Sequence, residues 1–322
     1  MTATPGQNTQ SSSATCLKKP DFRRETRLGL VLYGGVSLAV YMNGVCREFY
    51  NATRGRGIYK LIKALTDSDI VVDIVSGTSA GGINGVLLSY AVANSYEKIV
   101  VDFKEFGDIW RESGDINKLL RPIKKENNQT NVNSLLNGEG YYQEELFKAF
   151  EKAGNNQQSA PDGEWYSEFN ELDLFITGTD VLGRIYKTFD NTGKVIEIKD
   201  NRCVFHLKYR EDQDFGDPFS TTDKDTQQAL AKLCRITSCF PLAFPVVPVE
   251  IKSDNKVDNQ LQEWGKLLRN RILPQEPPKE GYKIYFVDGG VLDNRPFSYS
   301  SEAMYYRTAV RPVNRHIFYI DP

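Results

Sequence analysis

Ser79 is the residue of this sequence best placed for covalent chemistry. It lies in Gly77-Thr78-Ser79-Ala80-Gly81-Gly82, a G-x-S-x-G pattern between an apolar run, Asp69–Ser76, and a helix-compatible stretch from Ile83. A serine on so sharp a strand-to-helix turn is held in a strained backbone conformation. Residues two before and two after it come close together, so glycine at 77 and at 81 relieves the clash. The hydroxyl is then exposed at the C-terminal edge of a sheet, over a helix N-terminus whose dipole favours developing negative charge. The plainer possibility is a Gly-rich turn with an incidental serine.

Two more glycine turns follow apolar runs. Gly34 and Gly35 close the run LGLVLY, and a glycine pair there leaves backbone N–H groups uncovered, as an oxyanion hole requires. A tight strand-to-helix turn would look the same. A phosphate loop would need G-x-x-x-x-G-K-[ST] or a full G-x-G-x-x-G, and neither is present. Asp288-Gly289-Gly290 follows YKIYFV; its carboxylate could take a serine proton, or it could form an Asx-turn. His206 and His316 are the two histidines available for a Ser-His-Asp triad. His316 satisfies the chain order Ser, Asp, His, but it begins the run HIFYI instead of following one. His206 lies inside the strand-like VFHLKY. Asp180, Arg184, Arg235 and Asp293 read as local pairing, turn or structural residues, and the pairs Tyr141-Tyr142 and Tyr305-Tyr306 as packing.

The elements that must position these groups alternate. A strand, the Gly34-Gly35 turn and a helix over 37–50 are followed by a second strand, the Ser79 turn and a second helix. That order predicts a parallel sheet flanked by helices. Helices are expected over 96–112 and 141–153, with a loop at KKENNQTNVN between them. LDLFITGTD and RIYKTFD read as separate strands, the second turning through Asp190–Gly193 into KVIEIK as a hairpin. A helix over 225–239 leads into FPLAFPVVPV, whose prolines predict an irregular wall instead of a central strand. Residues 252–281 read as a charged surface insertion. A last strand and helix lead to HIFYI near the chain's end, which is compatible with a piece of a longer protein.

Composition sets the outer bounds. With 40 Lys and Arg against 42 Asp and Glu the net charge is -2, which offers no electrostatic case for nucleic-acid binding. No apolar run is long enough to span a bilayer. Residues 1–25 are polar at their start, lack the apolar segment of a secretory signal and are read as a disordered tail, with one catalytic domain over 26–322. Cys16, Cys46, Cys203, Cys234 and Cys239 are odd in number and never spaced C-x-x-C, which fits a reducing compartment better than a disulfide framework or zinc site.

In order, GGVSLAVYMNGV, GTSAGGINGV and DGGVLDNRPF strongly resemble the patatin-like phospholipases, and TDVLGR and CRITSCFPLAFPVV are similar to that family's looser blocks. The matching blocks run from about Leu28 to Asp321 and look closest to a bacterial branch whose first block reads GGVSLAV. The resemblance implies an α/β fold, a three-layer α/β/α sandwich with a central, mainly parallel sheet. It implies a Ser79–Asp288 dyad in place of a triad, with Gly34, Gly35 and Val36 as oxyanion loop and no metal or cofactor. The expected activity is lipid acyl hydrolysis of the phospholipase A or lysophospholipase kind, by a cytoplasmic protein working peripherally on lipid at a membrane surface. Two departures stand out. Val36 replaces the family's third glycine, and Leu38 falls where a basic residue is usual. An acyltransferase or thioesterase with the same dyad is a second expectation, and a lipid-binding module with impaired catalysis a third.

Overall fold

A computed structural model describes residues 19–121, 134–168, 170–211, 216–251, 268–269 and 282–321. The strands β1 (Arg24–Leu32) and β2 (Ser68–Gly77) are built from Leu, Val and Ile and are buried along most of their length, as strands covered on both faces must be. They pair in parallel with Leu32 opposite Gly77, so both end at the same edge of the sheet. β3 (Glu171–Phe189) lies parallel to β2 with Ile176 opposite Gly77. On the far side, β8 (Val313–Ile320) lies parallel to β1.

Beyond β3 the pairing turns antiparallel. β4 (Val195–Arg210) follows β3, and β6 (Leu268–Arg269) follows β4. β7 (Tyr282–Asp288) pairs with β3 just past the end of β2, and β5 (Val247–Ile251) adds on to β7. The eight-stranded sheet therefore runs β8-β1-β2-β3-β4-β6, with β7 and β5 branching from β3. Its parallel half carries the Gly34-Gly35 and Ser79 turns, and the Asp288 turn comes from antiparallel β7.

One face of the sheet is covered by α1 (Ala39–Thr53), α3 (Ser79–Ala93), α4 (Glu144–Asn155) and α5 (Lys224–Thr237), which share a core with Leu30, Val72, Leu174 and Phe205. All fifteen residues of α3 are buried; a helix surrounded on every side needs no polar face. On the opposite face α6 (Phe297–Tyr305) packs Tyr299, Ala303 and Met304 against Ile74, Phe175 and Val204. These are the three layers of the expected sandwich. Cys46, Cys203, Cys234 and Cys239 are all buried.

Several expectations shift. β1 starts at Arg24, and Phe22 is buried edge-on against Trp165, so residues 19–25 join the folded unit. Residues 1–18, the expected loop at 124–133 and most of 252–281 lie outside the described residues. LDLFITGTD and RIYKTFD form one strand, whose register slips between Thr179 and Arg184. The stretch 96–112 is helical only from Lys104, ending in a wider turn over Ile109–Ser113. Pro248 does sit in a strand, β5, but among the described residues that strand pairs only with β7, and an edge position tolerates a residue without an N–H. The helix α2 (Ile58–Thr66) was not foreseen; it rests on the sheet's rim with Leu61 and Leu65 exposed.

Candidate active site

Strand register brings the two main candidates together. β2 ends at Gly77 opposite Ile176, and two residues further along β3, Gly178 pairs with Asp288. β7 is antiparallel, so Asp288 arrives at this edge from the other direction while Ser79 leaves it at the start of α3. The Ser79 hydroxyl donates to Asp288 Oδ2 at 2.8 Å. Both residues are buried, 6% and 3% exposed.

The turn at Ser79 is the strained one its sequence predicts. Ser79 has φ 52°, a left-handed conformation rare for a residue with a side chain and costing roughly 1–3 kcal/mol. Its surroundings enforce it. Thr78 N–H donates to the Leu32 carbonyl, and Ser79 N–H donates to Thr237 Oγ1 at 2.9 Å. The glycines are required by contact: a Cβ on Gly77 would lie 2.7 Å from the Gly81 carbonyl, and one on Gly81 would strike the Leu32 and Tyr33 carbonyls. The N–H groups of the first turn of α3 have no acceptor within the helix, so this end of α3 presents donors and positive potential beside the serine.

Asp288 sits in an unusual field for a carboxylate. Oδ1 accepts from Gly290 N–H at 2.7 Å, and Oδ2 from Ser79. Burial pushes its pKa up to about 6, with the Ser79 and Gly290 hydrogen bonds holding it partly down. A carboxyl of that pKa is ionised at neutral pH and a stronger base than an exposed aspartate. Its backbone is anchored as well: its N–H donates to the Cys239 carbonyl, and Thr179 Oγ1 donates to its carbonyl.

The Gly34-Gly35 turn lies directly against the serine. A Cβ on Gly34 would come within 3.2 Å of Ser79 Cβ and would collide with the Asn294 side chain. Gly34 N–H points to the Asn294 carbonyl at 3.5 Å, and Asn294 Nδ2 to the Gly34 carbonyl at 3.5 Å. Of the three expected oxyanion donors, Gly34 is therefore turned aside. Among the described residues no hydrogen bond engages the Gly35 N–H, and Val36 opens a short helical turn, Val36–Leu38.

Neither histidine reaches this cluster. His206 Nε2 is 2.7 Å from Asp173 Oδ1, and its ring stacks on Phe175. His316 pairs with Leu28 in mid-strand and lines an apolar groove with Thr26, Tyr59 and Phe318. Asp293 accepts from Tyr299, Asp180 accepts from Leu182 N–H, and Arg235 donates to the Pro245 carbonyl over the Phe244 ring. Two residues that touch the cluster were not singled out from sequence: Thr237, which holds Ser79 N–H, and Asn294, which braces the Gly34 turn. The signal available was a polar residue inside each of the blocks CRITSCF and DGGVLDNRPF.

A family model described as patatin-like phospholipase matches residues 30–300, which span the Ser79 turn and Asp288. The chain belongs to the patatin-like phospholipase family. Membership supports lipid hydrolysis in general. The chain is also 28% identical over 326 aligned positions to the "Uncharacterized membrane protein Rv3479" of Mycobacterium tuberculosis, with 93% of this chain and 27% of that protein covered. It thus spans about a quarter of that relative's length. Among solved structures, VipD from Legionella pneumophila aligns over 92% of this chain and 50% of its own, at 12% identity and a TM-score of 0.29. That score is too low to bear on fold or function.

Proposed function

We propose that this patatin-like chain hydrolyses lipid carboxylic esters by a Ser79–Asp288 dyad, on phospholipid or lysophospholipid at a membrane surface. The observation that carries the proposal is the 2.8 Å hydrogen bond from a strained, buried serine to a buried carboxylate whose pKa is raised to about 6.

Ser79 Oγ attacks the ester carbonyl carbon as its proton passes to Asp288 Oδ2. Gly35 N–H and the Ala80 N–H in the first turn of α3 stabilise the charge that develops on the carbonyl oxygen, the Ser79 N–H being held by Thr237. The tetrahedral species collapses, Asp288 returns the proton to the departing alcohol, and an acyl ester remains on Ser79. Water then gives its proton to Asp288 and attacks that ester, releasing the fatty acid and restoring the serine. Hydrogen-bonded Oδ1 keeps Oδ2 aimed at the hydroxyl throughout. Val36 retains a backbone N–H, so its replacement of glycine leaves the donor count of the loop unchanged.

No helix among the described residues is long and apolar enough to cross a membrane, and the reading places the enzyme peripherally on lipid. The test is to incubate wild type and Ser79→Ala with a mixed lipid extract and follow released fatty acids by mass spectrometry. Wild type should release them, and Ser79→Ala should fall by about a thousandfold or more. Equal release by both would refute the assignment.

A further inference from the structure

β3 and β4 change character where they pass the catalytic edge. Glu171–Asp180 in β3 and Cys203–Tyr209 in β4 are mostly buried, whereas Val181–Phe189 and Val195–Arg202 are half-buried or exposed. The outer halves remain paired as a hairpin, with Arg184 opposite Asp200 and Phe189 opposite Val195. At about 3.3 Å per residue the stretch from Arg184 to Phe189 extends some 17 Å. It leaves the sheet beside Asp288, since Thr179 pairs with Val287.

This arm exposes apolar side chains on both of its faces. Ile185, Phe189 and Val195 are 66%, 71% and 56% exposed on one face, and Ile196 and Ile198 are exposed on the other. A bare two-stranded hairpin is marginally stable in water, and clustered exposed apolar side chains mark an interaction surface. Its charge identifies the surface. Over Val181–Lys199 there are four cations, Arg184, Lys187, Lys194 and Lys199, against two carboxylates, in a chain of net charge -2. Of those carboxylates, Asp190 accepts three local hydrogen bonds within the turn, and Glu197 lies 3.9 Å from Lys187. Apolar side chains at a tip ringed by lysines suit the boundary between acyl chains and anionic headgroups, where basic residues are drawn to the surface charge. The same edge continues apolar around the site: Leu242, three residues after the Cys239 carbonyl that binds Asp288 N–H, is 92% exposed, and Leu292 is 50% exposed.

We propose that the arm Val181–Lys199 docks on an anionic lipid bilayer, seating Phe189 and Val195 among the acyl chains and turning the catalytic edge toward the membrane. This rests on the lipid-ester reading for its purpose, but binding is measured without catalysis. The full chain is mixed with vesicles of phosphatidylcholine with and without phosphatidylglycerol. Wild type and Ser79→Ala should both sediment with the anionic vesicles, so a failure of the catalytic assignment leaves this result standing. Phe189→Asp with Val195→Asp should partition about tenfold or more weakly, while hydrolysing a short soluble ester within about twofold of wild type. Phe189→Trp keeps the tip apolar and reports directly; its emission should shift to the blue on the anionic vesicles. The proposal is overturned if wild type stays in solution, if the double variant binds as wild type does, or if the Trp emission is unmoved.

Discussion

Asp173 and Asp288 are buried carboxylates that pair into the same sheet, one on β3 and the other at the end of β7, and their surroundings push them in opposite directions. Burial raises both. At Asp173 the His206 hydrogen bond and the charges of Arg307, His206 and Arg210 outweigh it, and the pKa is lowered. Arg307 lies 2.5 Å and Arg210 3.0 Å from Oδ2. Asp288 is met by a hydroxyl and an amide, and burial prevails, taking it to about 6. A carboxylate clamped by cations is a structural joint; one buried beside a hydroxyl, with its pKa raised, is what the proposed dyad asks of its base. The difference lies in the company each keeps, since the residue type and the degree of burial are the same.

The largest way to break this contrast is Asp288→Asn, which keeps the shape and removes the base. Ester hydrolysis should fall by about 100- to 10,000-fold, measured as kcat/KM on a soluble ester. Stability should move the other way. A raised folded pKa means that the stabilising contribution of protonated Asp288 is complete below the ordinary carboxylate range and is lost as pH rises through about 6. Asn should therefore leave the protein at least as stable as wild type at pH 8, by chemical denaturation.

Asp173→Asn should reverse that pattern. It leaves Arg307, Arg210 and His206 without their shared anion, a loss of about 3–5 kcal/mol at neutral pH. Because the folded pKa of Asp173 is lowered, its contribution is present above the ordinary carboxylate range and fades as pH falls through the lower value. The deficit should shrink in acid, while folded variant retains its esterase activity. Smallest of all is the effect expected for His316→Ala. With His316 on β8 opposite Leu28, four residues back along β1 from Leu32, activity should stay within about twofold; near-total loss would point to a histidine base.

How much of this was legible follows from the distance over which each feature is encoded. The Ser79 turn is local: Gly77, Gly81 and the flanking apolar runs state it within a few residues. Asp288 is half-local, a carboxylate at a strand's end whose partner is set by pairing with β3. Thr237 and Asn294 are 158 and 260 residues away from the groups they hold; a polar residue inside CRITSCF and inside DGGVLDNRPF marks each position, but nothing local says what it contacts. The charge environment of Asp173 was illegible for the same reason, since Arg210 and Arg307 come from other elements. Pro248 was half-legible: its exclusion of a central strand holds, since among the described residues β5 pairs only with β7, but that an edge strand forms in place of an irregular wall is a property of the sheet. The continuity of β3 through Asp180–Gly183 was hidden by the bulge, which interrupts the alternation that identifies a strand.

The most direct test of the dyad is the pH dependence of Ser79 labelling by a fluorophosphonate, followed by mass spectrometry of the labelled peptide. The rate should fall about tenfold per pH unit below a midpoint near 6, and Asp288→Asn should lose both the rate and that midpoint. A rate that Asp288→Asn leaves unchanged, or a midpoint that disappears with His206 or His316 instead, would contradict the account.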